Sequence, residues 1–298
     1  MATPRSAPQF AKSNGLEICY DTFGSRSDAP LLLVMGLGGQ LIAWDDAFCA
    51  GLAQRGHFVV RFDNRDIGLS TKFAAAGVPN ILELLGHAMQ GKPVTAPYLL
   101  RDMAADAIGL LDALGIDKAH VVGLSMGGAI AQEMAINFAG RLRTLTSIMA
   151  TTGDPTLPQP KPEALSVFMT PAPNTKEAYA AFYARNLQIL RGKGFPEDEA
   201  LDPARGAAVF ERGLNPPGLA RQLAAIIASG DRTPRLRSVT VPTLVLHGDA
   251  DPLVPVQCGV ATAAAIPGAK LMRIPGMGHA LPISLWPTII DAIAGHAR

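Results

Sequence analysis

The sequence predicts an α/β protein, with a mainly parallel central sheet, helices on both faces and a small helical cap inserted into it. Three observations predict this. Short apolar runs bounded by glycine or proline alternate with amphipathic segments of helical length through the first half of the chain. The alternation stops after residue 151 and resumes after Pro242. The interval between them carries helical spacing and no convincing strand, so it reads as an insertion into the sheet rather than a continuation of it.

The elements follow in order. Leu16 to Phe23 is short, partly alternating and bounded by Gly15 and Gly24, as a strand would be. Pro30 to Met35 is a continuous apolar run ending at Gly36, the pattern of a strand buried on both faces. Phe48 to Gly56 reads as a helix stopped by glycine, and His57 to Phe62 as another buried strand. Met103, Ala107, Ile108, Leu111 and Leu114 recur at helical spacing within Leu99 to Leu114, before Gly115. A strand over Ala119 to Gly123, a helix over Gly127 to Ala139 and a strand over Leu142 to Met149 come next. Thr151 to Pro173 is rich in Pro and Thr, Tyr179 to Leu190 looks helical, Gly192 to Pro203 looks like a loop, and Ala204 to Ser229 is helical with a break at Pro216-Pro217. Strands return at Thr243 to His247 and Lys270 to Ile274, and a helix closes the chain from Trp286 to Ala297. This gives a core of residues 1–151 and 236–298 with a cap at 152–235.

Composition narrows the function classes. The chain has 298 residues, 48% of them hydrophobic and 17% charged, enough to bury a sizeable core. A net charge of +1 without long like-charge runs offers no field for nucleic acid. No apolar run is long enough to span a bilayer, and Met1 to Gln9 has no apolar stretch of the secretory kind. The cysteines, Cys19, Cys49 and Cys258, are odd in number and widely spaced, which argues against a disulfide framework or a zinc cluster and for a reducing, cytoplasmic setting. Nothing in the sequence sets the oligomeric state, and a homodimer is compatible with it.

Gly123-Leu124-Ser125-Met126-Gly127 places one serine between two glycines where a strand meets a helix. A sharp strand-to-helix turn crowds the serine backbone; small residues two positions away relieve the crowding and leave the hydroxyl exposed. The helix that follows brings its first amides to any oxyanion formed there. The plainer reading is a Ser-Gly turn that caps a helix. A nucleophilic serine needs a base, and six histidines are available. His57 and His120 open strands, away from the expected site; His87 lies in a linker region, His296 in the last helix, and His247 ends a strand directly before Gly248. His279 sits in the glycine-rich loop Pro275-Gly276-Met277-Gly278-His279 after a strand, where ligands bind in such sheets, and is the candidate base. The orienting carboxylate is Asp251 of His247-Gly248-Asp249-Ala250-Asp251-Pro252, with Asp249 read as a turn residue bonding local amides and Asp154 as a rival. Asp63, Arg65 and Asp66 read as loop braces rather than as a second acid site, and Trp44, Phe168, Met169, Phe182 and Met277 as either pocket or core.

The elbow, the H-G-D-A-D-P segment and the G-M-G-H segment, in that order and spacing, resemble the α/β-hydrolase fold superfamily over nearly the whole chain. Arg61 to Ser70 and Val121 to Gly128 resemble its serine-hydrolase branch of aclacinomycin methylesterase and the 3-oxoadipate enol-lactonase-like hydrolases. The resemblance implies a second oxyanion donor in the loop Met35-Gly36-Leu37-Gly38-Gly39, so that the backbone N–H of Leu37 pairs with that of Met126. Many relatives carry histidine where this chain has Met35, which leaves that histidine's contacts unaccounted for.

The expected chemistry is hydrolysis of a small-molecule carboxylic ester by a Ser-His-Asp triad through an acyl-enzyme, without metal or organic cofactor. A serine at the elbow excludes the aspartate-nucleophile reactions of this fold. Lactone opening, C–C bond hydrolysis and perhydrolysis use the same triad and stay open, as does a non-catalytic ligand-binding protein on the same fold. Gly36-Leu37-Gly38-Gly39 lacks the following Lys-Ser/Thr of a phosphate loop.

Overall fold

Alternate residues of the apolar strands serve opposite faces of one sheet. In β3 (Ala29–Val34), Leu32 and Val34 pack toward α3 (Leu100–Ala113) and α4 (Met126–Asn137), while Leu31 and Leu33 pack toward α1 (Asp46–Ala53) and α11 (Trp286–His296). All four residues are fully buried, at roughly 1.5–3 kcal/mol each, so a one-residue slip that exchanged the two faces would be heavily penalised. The computed structural model describes residues 5–192, 194–195 and 200–298.

The other strands are β1 (Gln9–Ser13), β2 (Leu16–Phe23), β4 (His57–Phe62), β5 (Ala119–Leu124), β6 (Leu142–Ile148), β7 (Thr243–Gly248) and β8 (Lys270–Ile274). They form a sheet in the order β1-β2-β4-β3-β5-β6-β7-β8. The β1–β2 and β2–β4 pairs are antiparallel and all later pairs parallel, which gives the mainly parallel sheet the sequence predicts. Between β6 and β7 the described residues build helices and no strand: α5 (Pro162–Met169), α6 (Lys176–Arg191), α7 (Leu201–Glu211), α8 (Pro216–Ser229) and the short α9 (Thr233–Leu236). The break at Pro216-Pro217 is the start of α8, where proline fits because the first helical N–H needs no partner.

Several elements differ from the sequence reading. β1 is an additional edge strand. α2 (Ile81–Met89) and α10 (Val256–Ala265) are additional helices, so His87 lies on a helix and not in a linker. α5 lies inside the Pro- and Thr-rich stretch, with Pro162 in its first turn. Of the loop read at 192–203, residues 193 and 196–199 lie outside the described residues, and α7 begins within it at Leu201.

Candidate active site

β5 ends by turning directly into α4, and Ser125 is the hinge. Its φ of 56° and ψ of −120° lie in a region that L-residues rarely adopt. The flanking glycines make this turn possible. A Cβ on Gly123 would overlap the Gly127 carbonyl, and one on Gly127 would overlap the Val34 carbonyl. The turn is tied down by Ser125 N–H donating to Ile148 O at 2.9 Å, and by Gly128 and Ala129 N–H donating to Ser125 O at 2.9 and 3.1 Å.

Asp251 follows β7 and is buried. Its Oδ1 accepts from the main-chain amides of Leu253 and Val254 at 2.9 and 2.8 Å, which leaves Oδ2 for His279 Nδ1 at 2.7 Å. Burial works to raise this carboxyl's pKa. The charge of His279, the nearby His247 ring with Nε2 3.6 Å from Oδ2, and the hydrogen bonds from His279 and Val254 outweigh it and hold the group below the usual carboxylate range. An ionised Asp251 requires a proton on His279 Nδ1, so the Nε2 lone pair faces Ser125 Oγ, 2.9 Å away. His279 is carried by the loop after β8, and its main-chain N–H donates to Leu190 O at 2.6 Å while Gly278 N–H donates to Arg191 O at 3.0 Å. The last carbonyls of α6 therefore hold the histidine loop.

The structure thus brings Ser125, His279 and Asp251 into one hydrogen-bonded line and leaves the rival carboxylates outside it. Asp154 bonds Thr156. Asp249 does not bond local amides as its turn reading requires. It is exposed and pairs with Arg273 at 2.8 Å, while Asp251 takes the local amides instead. His57 and His120 meet edge-on at the other end of the sheet, with ring centroids 5.9 Å apart.

The loop after β3 lies against the elbow. A Cβ on Gly36 would stand 3.1 Å from Leu124 O and 3.2 Å from Ser125 Cβ, so Leu37 follows a residue in contact with the serine. Asn64 Nδ2 donates to Met35 O at 2.9 Å. The buried Met35 side chain packs against Gly39, which answers how a chain without histidine there fills the space.

Asp63, Arg65 and Asp66 are braces. Arg65 pairs with Asp106 at 2.6 Å on the core side. Asp63 and Asp66 reach across to the helices between β6 and β7, pairing with Arg212 at 2.6 Å and Arg221 at 2.7 Å. Burial pushes the Asp63 carboxyl upward against the pull of Arg212 and the Leu41 and Leu69 amides. Asp66 is also pushed up by burial, but the bonds from Arg221, Phe73 N–H and Tyr98 hold it below its ordinary value. Gln40 adds a further tie, donating to Val209 O and Gly213 O at 3.0 Å each.

A cavity of about 520 Å³ opens onto Ser125 and His279. Trp44, Phe168, Met169 and Phe182 line it, together with Tyr179 and Leu223, which the sequence did not single out. Met277 is not in its wall; it is fully buried in the core beneath.

The alpha/beta hydrolase fold family matches this chain over residues 29–284. Rhodomycin D methylesterase DauP of Streptomyces sp. strain C5 is 31% identical over 92% of this chain and 93% of that protein. Rhodomycin D methylesterase DnrP of Streptomyces peucetius is 30% identical over the same shares. Among solved structures, the enol-lactonase from Burkholderia xenovorans LB400 superposes with a TM-score of 0.73 at 23% identity, covering 97% of this chain and 99% of that one. The chain belongs to the alpha/beta hydrolase fold family.

Proposed function

We propose that the protein hydrolyses carboxylic esters through an acyl-enzyme, with Ser125 as nucleophile, His279 as general base and acid, and Asp251 as the orienting carboxylate. At the level of enzyme type the chain is an esterase-type hydrolase, like its relatives of about 30% identity. The observation that carries the mechanism is the continuous line from Asp251 Oδ2 through His279 to Ser125 Oγ. As Ser125 Oγ attacks the ester carbonyl carbon, His279 Nε2 takes its proton. The amides of Leu37 and Met126 receive the oxyanion. Collapse breaks the bond to the alkoxy oxygen, which leaves as the alcohol with the proton from His279. Water then gives a proton to His279 and attacks the acyl-enzyme; the acid departs and Ser125 regains its proton.

In this reading the helices within 152–235 form the cap over the cavity. The apolar and aromatic wall suits a bulky apolar acyl group, and the methylesterase relatives favour a small leaving alcohol such as methanol. A cytoplasmic setting is supported by three buried free cysteines; no helix among the described residues is long and apolar enough to cross a membrane.

The test is initial rates on p-nitrophenyl esters from acetate to decanoate, for the wild type and Ser125→Ala in parallel. Turnover that disappears in the variant supports the reading and reports the acyl preference. Equal turnover in both proteins refutes Ser125 as nucleophile. A folded wild type that cleaves no ester but opens a lactone or cleaves a vinylogous 1,5-diketone transfers the same triad to that chemistry.

A further inference from the structure

Three of the five residues in Met35–Gly39 are glycine, and Gly38 has a φ of +69°, so this loop has little stiffness of its own. Its one internal backbone bond runs from Gly39 N–H to Gly36 O at 3.1 Å. Asn64 holds the first residue of the loop through Met35 O, and the side-chain bond to Gly38 N–H comes from across the cavity. Gln222 on α8 is fully buried; its Oε1 accepts from Gly38 N–H at 3.0 Å and its Nε2 donates to Arg65 O at 2.8 Å. One side-chain amide thereby bridges the loops after β3 and β4, 184 residues away from Gly38 in sequence. Gln222 is itself held in place, because the adjacent Arg221 grips both carboxylate oxygens of Asp66 and the Gly77 carbonyl. α8 also lies directly on the loop: a Cβ on Gly38 would come within 2.7 Å of Leu219 Cδ1.

We propose that Gln222 is a positioning residue for the oxyanion hole, a role that rests on the reading of Leu37 N–H as an oxyanion donor. The peptide planes carrying the Leu37 and Gly38 N–H groups meet at the Leu37 Cα. Fixing the second restricts the swing of the first and keeps the Leu37 N–H aimed at the reacting carbonyl. Without Gln222, Gly38 N–H loses its partner in a partly buried place, and the loop gains a reason to turn. Misplacement of a reacting group by about 1 Å costs on the order of 10²-fold in rate. The helices facing the cavity thus supply part of the alignment of the chemistry as well as walls for the substrate.

The test uses Gln222→Met, which keeps the length and removes both hydrogen bonds, and Gln222→Glu, which keeps an acceptor for Gly38 N–H. Each is compared with the wild type and Ser125→Ala for kcat, KM, melting temperature and affinity for a phenylboronic acid that adds to the serine. Gln222→Met should lose about 10- to 100-fold in kcat with KM little changed, and should weaken boronate binding by a similar factor. Gln222→Glu should recover part of both, since the Arg65 carbonyl still lacks its donor. Where the methionine variant does not fold, Gln222→Asn replaces it, drawing the amide back by one bond. A kcat within about twofold of wild type overturns the proposal, as does a loss of kcat that leaves boronate affinity unchanged. If Ser125→Ala is as active as wild type, the esterase reading itself fails; an inactive Ser125→Ala beside a fully active Gln222→Met removes the Gln222 proposal alone.

Discussion

Replacing Asp251 with asparagine alters one terminal group and should abolish most of the activity. The asparagine oxygen can keep the bonds from Leu253 and Val254 N–H, because those fall on the same carboxylate oxygen at 2.9 and 2.8 Å. Its NH2 group is then left facing His279 Nδ1 across a 2.7 Å contact, where two N–H donors cannot both be satisfied. The ring relieves this by moving its proton to Nε2, and Ser125 Oγ, 2.9 Å away, loses its base. A wrong tautomer at such a position costs about 10⁴ in kcat, or roughly 5.5 kcal/mol of transition-state stabilisation. The fold should also weaken, because the carboxyl is held below its ordinary value and its charge is stabilising at neutral pH. The assay is kcat and KM on p-nitrophenyl butyrate with a melting curve for each protein, and Asp249→Asn and Asp154→Asn as controls expected to keep wild-type rates. A folded Asp251→Asn that retains more than about a tenth of the wild-type kcat refutes the reasoning. Collapse in either control instead transfers the acid's role to that residue.

Two further outcomes concern stability. Arg221→Met strands Asp66, which is fully buried, without its bidentate partner, and should cost about 3–5 kcal/mol in urea unfolding; a loss below about 1 kcal/mol would show that Tyr98 and Phe73 N–H suffice for that charge. His120 is held neutral by burial, then by the nearby charges of His57, Arg143 and His296, with its pKa lowered to about 4. As pH falls through the unfolded value near ~6.5, the unfolded chain takes up a proton that the folded ring refuses. Stability is therefore lost from there down to about pH 4, by up to ~1.4 kcal/mol per pH unit for this group. His57 and His296 are lowered as well and add to the same slope. His120→Gln should flatten the dependence of unfolding free energy on pH in this window, and an unchanged slope would count against it.

Local signals made the sheet legible. β3, β4, β5 and β7 are apolar runs with clear punctuation, and each candidate triad residue lies just beyond the C-terminal end of a strand, in a motif of a few residues. β1 escaped because Q-F-A-K-S is a largely exposed edge strand without a continuous apolar run. α2 escaped because it buries none of its residues, and its apolar side chains, among them Leu82 and Met89, lie on the surface. In α10 the run V-Q-C-G-V-A-T-A-A-A is dominated by small residues that mark no strong face. The local-amide role read for Asp249 falls to Asp251 because composition does not determine which side chain of a tight turn faces inward. Gln222, Gln40 and Arg212 were invisible for another reason: their partners are backbone atoms and carboxylates 149 to 184 residues distant, and such pairs leave no periodic trace.

The grip of α6 on the histidine loop sets a rule for building chimaeras. A designer who exchanges the helices between β6 and β7 to admit a different substrate replaces wall residues by intention and a structural splint by accident. The donor segment would need a helix that ends at the same point, presenting two free carbonyls where those of Leu190 and Arg191 now meet the His279 and Gly278 amides. The loop has little latitude to compensate, since any side chain at position 278 would run into those same carbonyls. Grafts chosen by where α6 terminates should therefore yield more active hybrids than grafts chosen by cavity shape alone.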